Sequence, residues 1–265
     1  MPVMSRIATS EPVAASPWQL LSLRPSGGHD SLRRAAARRG GRLLAASPWR
    51  LQPRGDADAA RALDAALAMA AVIFTSPAAV AAADALRPLS RQPARTWLAV
   101  GAGTARALRA RGIAQVRYPG RMDSEGLLAL PELARPGRIG LVTAPGGRGL
   151  LAAELQRHGA EVVRADVYER VVVALAPATL ARLRDLPPAS VLALSSGEAL
   201  EHLLAQLPAD LRLRLQQLPV AAASDRLARL ARAAGFARAA AARGPLPAQL
   251  VAAACALLAD RAPCA

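Results

Sequence analysis

The chain has 265 residues, 53% of them hydrophobic, which is enough for a buried core in one large or two ordinary domains without disulfide or metal staples. Its formal net charge of +15 is the excess of 34 basic residues, all of them arginine, over 19 acidic ones. With no lysine in the sequence, a Walker A phosphate loop, a pyridoxal phosphate Schiff base and aldolase-type amine chemistry are excluded for these residues. The arginine excess raises affinity for any polyanion, whether nucleic acid, membrane surface or polycarboxylate, and its company of alanines is also what a biased coding composition produces. Cys255 and Cys264 are too few and too far apart for a zinc site, and His29, His158 and His202 form no metal-ligand motif, so no metal is expected. Two late thiols suit a reduced, cytoplasmic protein.

In chain order, residues 1–17 lack the continuous apolar core of a signal peptide and read as a flexible tail. Strand 19–23, a turn at 25–28, helix 31–39 closed by Gly40 and Gly41, and strand 42–46 follow. Two prolines in SPWRLQPRG then break the periodicity and place an interdomain crossing at 47–53. Next come helix 56–67, strand 71–75, a helix to Leu86, strand 97–100, a helix to Arg111 and a short strand near 115–117. The uncharged run 65–83 is interrupted by Thr75, Ser76 and Pro77, which argues against a membrane span. Helix 124–130, strand 138–142, helix 149–158 and strand 161–165 complete that stretch. The extended run EVVRADVYERVVVAL outlasts an ordinary strand of about 5–6 residues, so a second crossing is set at 166–173. Beyond Pro177 the pattern gives a helix to Arg184, strand 191–194, helix 197–206, strand 220–222, helix 225–234 and helix 247–260.

Strands alternating with short helices predict parallel sheets covered on both faces. The C-terminal stretch has too few strands for a sheet of its own, so the N-terminal β-α-β unit is expected to join it. The expected fold is α/β: two α/β/α domains with parallel sheets joined by a two-stranded linker. Domain 1 is discontinuous over 18–46 and 174–265, domain 2 runs over 54–165, and the two crossings lie side by side as a hinge. Five apolar runs stop at a small or hydroxyl residue where a helix begins at once: VIFTSPAAV, LAVGAGTARAL, LVTAPGGRGLLAAEL, VLALSSGEAL and VAAASDRLARL. Each junction offers free backbone N–H groups and the positive end of a helix dipole at the carboxyl edge of a sheet, so an acidic ligand is expected.

The segments LLSLRP, VIFTSPAAV, AVGAGTARALRARG, GGRGLLAAELQRHGAEV followed by VYER, LALSSGEAL and ASDRLARLARAAGF occur in an order and spacing that resemble the uroporphyrinogen-III synthase family over residues 20–260. That resemblance implies two α/β domains with an active cleft between them and neither cofactor nor metal. The substrate it implies is hydroxymethylbilane, a flexible linear tetrapyrrole with acetate and propionate on every ring. Loss of its terminal hydroxyl as water leaves an electrophilic azafulvene, which attacks the substituted position of the last pyrrole. A spiro intermediate then fragments and recloses with that ring inverted. Unaided, the bilane closes to the uninverted isomer, so control of conformation is the main catalytic task.

Tyr168 matches the tyrosine of the family's VY linker motif, which implies a phenol donating to the leaving hydroxyl. The alternative is a tyrosine that packs at a domain boundary and does no chemistry. Thr104, after Gly101-Ala102-Gly103, either caps its helix or binds a carboxylate. Arg106 stands where a dinucleotide fingerprint needs its third small residue, against NAD or FAD. Ser76, Ser195, Ser196 and Ser224 match family positions that line the cleft, with plain N-capping as the alternative for each. Arg24, Gly147 and Arg148 complete the expected substrate contacts, the arginines either pairing with carboxylates or lying solvated on the surface. No G-x-S-x-G elbow surrounds any of these serines and the histidines give no recognisable partner, so a serine nucleophile is not expected. His158 reads as a C-terminal cap and Asp225 as a dipole partner.

The expected partners are a small-molecule polycarboxylate, the linear tetrapyrrole, and a transient contact with hydroxymethylbilane synthase as its source. No nucleic acid and no membrane are expected, and the protein reads as a cytoplasmic monomer. Charge alone keeps a nucleic-acid-binding protein as a competitor, opposed by an aromatic content of 3% and by arginines scattered over almost every helix. A non-catalytic organic-anion-binding protein of the same architecture is the other competitor.

Overall fold

The computed structural model describes residues 18–93, 95–120, 124–134, 137–145 and 150–260. The chain begins with β1 (Gln19–Ser22), α1 (Asp30–Ala37), β2 (Arg42–Ala45) and β3 (Trp49–Pro53). It continues through α2 (Ala57–Leu67), β4 (Ala71–Phe74), α3 (Pro77–Leu86), β5 (Thr96–Ala99), α4 (Ala102–Arg109) and α5 (Ser124–Leu128). Next are β6 (Arg138–Thr143), α6 (Leu150–Arg157), β7 (Glu161–Asp166), β8 (Tyr168–Val172) and α7 (Pro177–Arg184). The last elements are β9 (Ser190–Leu194), α8 (Gly197–Gln206), α9 (Ala209–Gln216), β10 (Val220–Ala222), α10 (Asp225–Ala233), β11 (Ala239–Ala241) and α11 (Pro247–Ala259). Among the described residues the chain forms two compact units, one from 18–49 with 173–260 and the other from 50–172.

Unit 1 holds a five-stranded parallel sheet in the order β2-β1-β9-β10-β11, with Leu21 level with Leu44 on one side and Leu192 on the other. Successive strand residues point to opposite faces. Leu21, Leu192, Leu194 and Val220 therefore pack on Leu183, Leu203, Leu211 and Leu227 of α7 to α10. Leu20, Val191 and Ala221 pack on Leu32 and Ala36 of α1 and on Leu250, Val251 and Ala254 of α11. All of β9 is buried, as a strand covered on both faces requires. Each fully buried leucine contributes roughly 1.5–3 kcal/mol.

Unit 2 repeats the plan with four parallel strands in the order β5-β4-β6-β7, Ile73 lying level with Leu98 and Leu141. Val72, Phe74, Trp97 and Val142 face Leu63 of α2, Val80 of α3 and Leu108 of α4. Ile73, Leu98 and Leu141 face Leu127 of α5 and Leu155 of α6. Gly140 lets the backbone of α2 rest on β6, because a Cβ there would stand 2.1 Å from the Ala66 carbonyl oxygen.

β3 and β8 form a separate two-stranded sheet. Arg54 N–H donates to Val167 O and Val173 N–H to Pro48 O, each at 2.9 Å, so the pair runs antiparallel. The long extended run thus resolves into β7 and β8 in different sheets, with Val167 at the break.

One local expectation needs correction and two elements were not expected. The strand near 115–117 is a single bridge between Leu98 and Arg117, since Pro119 has no N–H to continue a ladder. α9 was not among the expected elements: ADLRLRLQ alternates leucine and arginine, yet it is a helix with Leu211 and Leu215 buried and Leu213 63% exposed. β11 is three alanines and exists through its pairing with β10. The run 65–83 is divided among α2, β4 and α3, and among the described residues no helix is long and apolar enough to cross a membrane. The N-terminal tail, 1–17, lies outside the described residues.

Candidate functional site

In an open parallel sheet, ligands bind beyond the carboxyl ends of the strands where the strand order reverses. In unit 1 that point lies between β1 and β9, and in unit 2 between β4 and β6. The residues that follow these strands include Arg24, Ser195 and Ser196 in unit 1 and Thr75, Ser76, Ala144 and Pro145 in unit 2. Topology therefore sets Arg24, Ser76, Ser195 and Ser196 at the two switch points.

In unit 2, Ser76 is the N-cap of α3: its Oγ accepts the Ala79 N–H at 3.0 Å, and Pro77 supplies a pre-set first turn. The Tyr168 hydroxyl lies 3.1 Å from the same Oγ, although the two residues are 92 positions apart. With the serine oxygen accepting from the helix, either hydroxyl can donate to the other. The tyrosine ring belongs to the hydrophobic core of the unit and is 6% exposed, so only its polar end reaches the helix start. Thr75 Oγ1 donates to Thr143 Oγ1 at 2.9 Å, tying the ends of β4 and β6 together. Sequence reasoning had passed over Thr143.

Thr104 is buried, and the N-cap of α4 is Gly101 with no side-chain hydrogen bond. The expected cap by Thr104 is therefore corrected: a capping side chain must precede the helix, and Thr104 already lies in its first turn. Gly147 and Arg148 lie outside the described residues. A cavity of about 440 Å³ in this unit is lined by Arg54, Asp56, Pro145 and Glu169 among others. Asp56 accepts two hydrogen bonds from Arg54 and one from Ala59 N–H, which caps α2 and holds its carboxyl below the usual carboxylate range.

In unit 1, Ser196 caps α8 by accepting from Ala199 N–H at 3.3 Å, and Ser224 caps α10 by accepting from Leu227 N–H at 3.4 Å. Ser195 is exposed one position ahead of the cap and does not cap, which corrects that alternative for this residue. Arg24 is half-buried, donates to Ser31 Oγ at 3.3 Å, and burial pushes its guanidinium below the ordinary arginine range. His158 Nδ1 meets the Glu154 carbonyl at 2.8 Å, and Asp225 stands in the first turn of α10.

The residue that sequence reasoning missed is His29. It occupies the cap position of α1 and is 4% exposed, with Nδ1 3.1 Å from Ser22 Oγ and Nε2 2.8 Å from Ser47 Oγ. Burial, then the charges of Arg33 and Arg24, push its pKa below the ordinary histidine value, with Asp30 opposing. The available signal was a histidine placed directly before a helix, with a serine at the end of each neighbouring strand.

Both units thus present capped helix starts at the carboxyl edge of a parallel sheet. One such end contributes about 0.3–1 kcal/mol toward an anion, so several acting together are needed to restrain a flexible polyanion. Among the described residues no three His, Cys, Asp or Glu side chains gather as a metal set.

The family model described as uroporphyrinogen-III synthase HemD matches residues 30–252. Uroporphyrinogen-III synthase of Salmonella typhimurium (strain LT2) is 37% identical over 147 residues, covering 53% of this chain and 58% of that protein. The Escherichia coli (strain K12) uroporphyrinogen-III synthase is 33% identical over 144 residues, with the same two coverages of 53% and 58%. The chain therefore spans a little over half the length of these curated relatives. Among solved structures, uroporphyrinogen-III synthetase from Helicobacter pylori 26695 superposes with a TM-score of 0.59 at 17% identity, over 91% of this chain and 99% of that one. A mutant uroporphyrinogen III synthase from the extremely thermophilic bacterium Thermus thermophilus gives 0.55 at 21% identity, over 91% and 98%. At these identities the structural likeness speaks to the fold.

Proposed function

Since the chain belongs to the uroporphyrinogen-III synthase family, we propose that it closes hydroxymethylbilane with loss of water and inversion of the last ring, giving uroporphyrinogen III in tetrapyrrole (haem) biosynthesis. The observation that carries the reading is the Tyr168–Ser76 pair at the switch point of unit 2. Tyr168 donates its phenolic proton to the departing hydroxyl, so that water leaves in place of hydroxide. Ser76, itself fixed by α3, holds the phenol in one orientation, which supports a positioned acid on an otherwise buried ring. Substrate carboxylates are received by Arg24, Thr104, Ser195, Ser196 and Ser224, with Gly147 and Arg148 as further contacts. The chain's own work is to select the folded conformer of the bilane, and electrostatic restraint at helix starts does that without a covalent intermediate on the protein.

The reading extends to a monomer in the cytoplasm, in keeping with the free thiol of Cys255, that takes its substrate through transient contact with hydroxymethylbilane synthase. The test is isomer analysis of the product from freshly made hydroxymethylbilane. Type III product above the unaided rate is expected. Type I alone, formed at the unaided rate, would overturn the proposal in favour of a non-catalytic anion-binding protein.

A further inference from the structure

We propose that unit 1 carries a second centre, hydrolytic in kind, in which Ser47 is the nucleophile, His29 its general base and Ser22 the group that orients the imidazole, acting on a carboxylic ester with a short acyl group. The geometry meets the requirement for an activated hydroxyl: Ser47 Oγ is 2.8 Å from His29 Nε2, and His29 Nδ1 is 3.1 Å from Ser22 Oγ. Ser22 is wholly buried at the end of β1, and its oxygen also lies 3.5 Å from the Arg24 N–H. With Nδ1–H donating to this oxygen, which also accepts from Arg24 N–H, Nε2 is free to take the Ser47 proton.

Space is present as well. Ser47 is half-buried and, with His29, lines a cavity of about 340 Å³ whose other walls include Ala45, Val173, Leu175 and Thr179. Small aliphatic side chains beside a polar pair fit an acyl group of a few carbons. Burial, then the charges of Arg33 and Arg24, favour the neutral imidazole that a base requires, with the Asp30 carboxylate opposing. In the reaction Ser47 Oγ bonds to the ester carbonyl carbon while its proton passes to Nε2. The ester C–O bond then breaks and the alcohol departs with that proton. Water, deprotonated by the same nitrogen, releases the acid from Ser47, so ester and water become acid and alcohol.

The full chain is treated with a fluorophosphonate probe and, separately, with p-nitrophenyl acetate. A single phosphonyl adduct on Ser47 is expected by peptide mapping, with a rate that rises with pH as His29 loses its proton and then levels. His29→Gln is expected to slow labelling about 100-fold or more, and Ser47→Ala to abolish both labelling and ester turnover above background. Ser22→Ala keeps both reacting groups and is expected to slow labelling about tenfold, which keeps the test decisive if His29→Gln fails to fold. Absence of a Ser47 adduct, or equal labelling rates in wild type, His29→Gln and Ser22→Ala, overturns the proposal.

Discussion

The first strand-to-helix junction of unit 1 and that of unit 2 occupy the same topological place, yet they are built from different chemistry. In unit 2, β4 runs into α3 through Ser76, whose side chain closes the helix start and receives Tyr168. In unit 1, a loop separates β1 from α1, no side chain caps the helix, and the cap position holds an imidazole suspended between two serine hydroxyls. A serine committed to capping is fixed and lends its rigidity to a partner. A helix start left uncapped leaves room for a titratable group, and the two units have taken these separate routes on one architecture.

The largest test of that comparison concerns packing. Gly140→Ala forces a Cβ against the Ala66 carbonyl of α2, a backbone atom that cannot turn aside, and is expected to cost about 3 kcal/mol in urea unfolding. Gly197→Ala in unit 1 meets Leu230 Cδ1 at 2.7 Å, a side-chain end that can rotate, and is expected to cost about 1 kcal/mol. Equal losses would show that the Ala66 backbone gives way to an added methyl as readily as the Leu230 side chain does.

Next is the proposed acid, Tyr168. Tyr168→Phe is expected to lower turnover about 100-fold while removing only about 1 kcal/mol of stability with the Ser76 hydrogen bond. Wild-type turnover in this variant would leave Tyr168 as a packing residue. Ser76→Ala and Ser196→Ala each remove a cap worth about 1 kcal/mol, and steady-state kinetics separates them. Ser76→Ala is expected to lower kcat by freeing the phenol, whereas Ser196→Ala raises KM alone; a lowered kcat in both would erase the difference between the junctions.

The smallest effect is electrostatic. His29 has a folded pKa below its ordinary value of 6.5, so the unfolded chain takes up the proton first. The stabilisation is complete above about pH 6.5 and is lost as pH falls through the lowered folded value. Urea midpoints measured on the acid side are expected to fall less steeply for His29→Gln than for the wild type. Parallel slopes would mean that the imidazole takes up its proton at the same pH in the folded and unfolded chain.

Much of this was legible in the order of residues because it is governed by contacts a few positions apart. The caps at Asp56, Ser76, Ser196 and Ser224 each bond the N–H three residues on, and the apolar runs of β4 and β9 announce strands buried on both faces. Other elements carry little local signal: the leucines of α9 alternate as they do in a strand, and the alanines of β11 have no strand preference. The place of Thr104 within the first turn turned on a one-residue boundary that capping signals leave open.

From composition, periodicity and motif order alone came the α/β class, the return of the N-terminal β-α-β unit to a C-terminal sheet, the absence of lysine chemistry and the resemblance to one enzyme family. Tertiary structure decided which strands are neighbours, and with that where each sheet reverses its order. It alone brought Tyr168 to Ser76 across 92 positions and set His29 between Ser22 and Ser47. The physical reason is range. Helix starts and strand runs are selected by torsions and by partners within a turn or a pleat, whereas a hydroxyl or an imidazole finds its partner only after the hydrophobic faces have chosen how the layers stack.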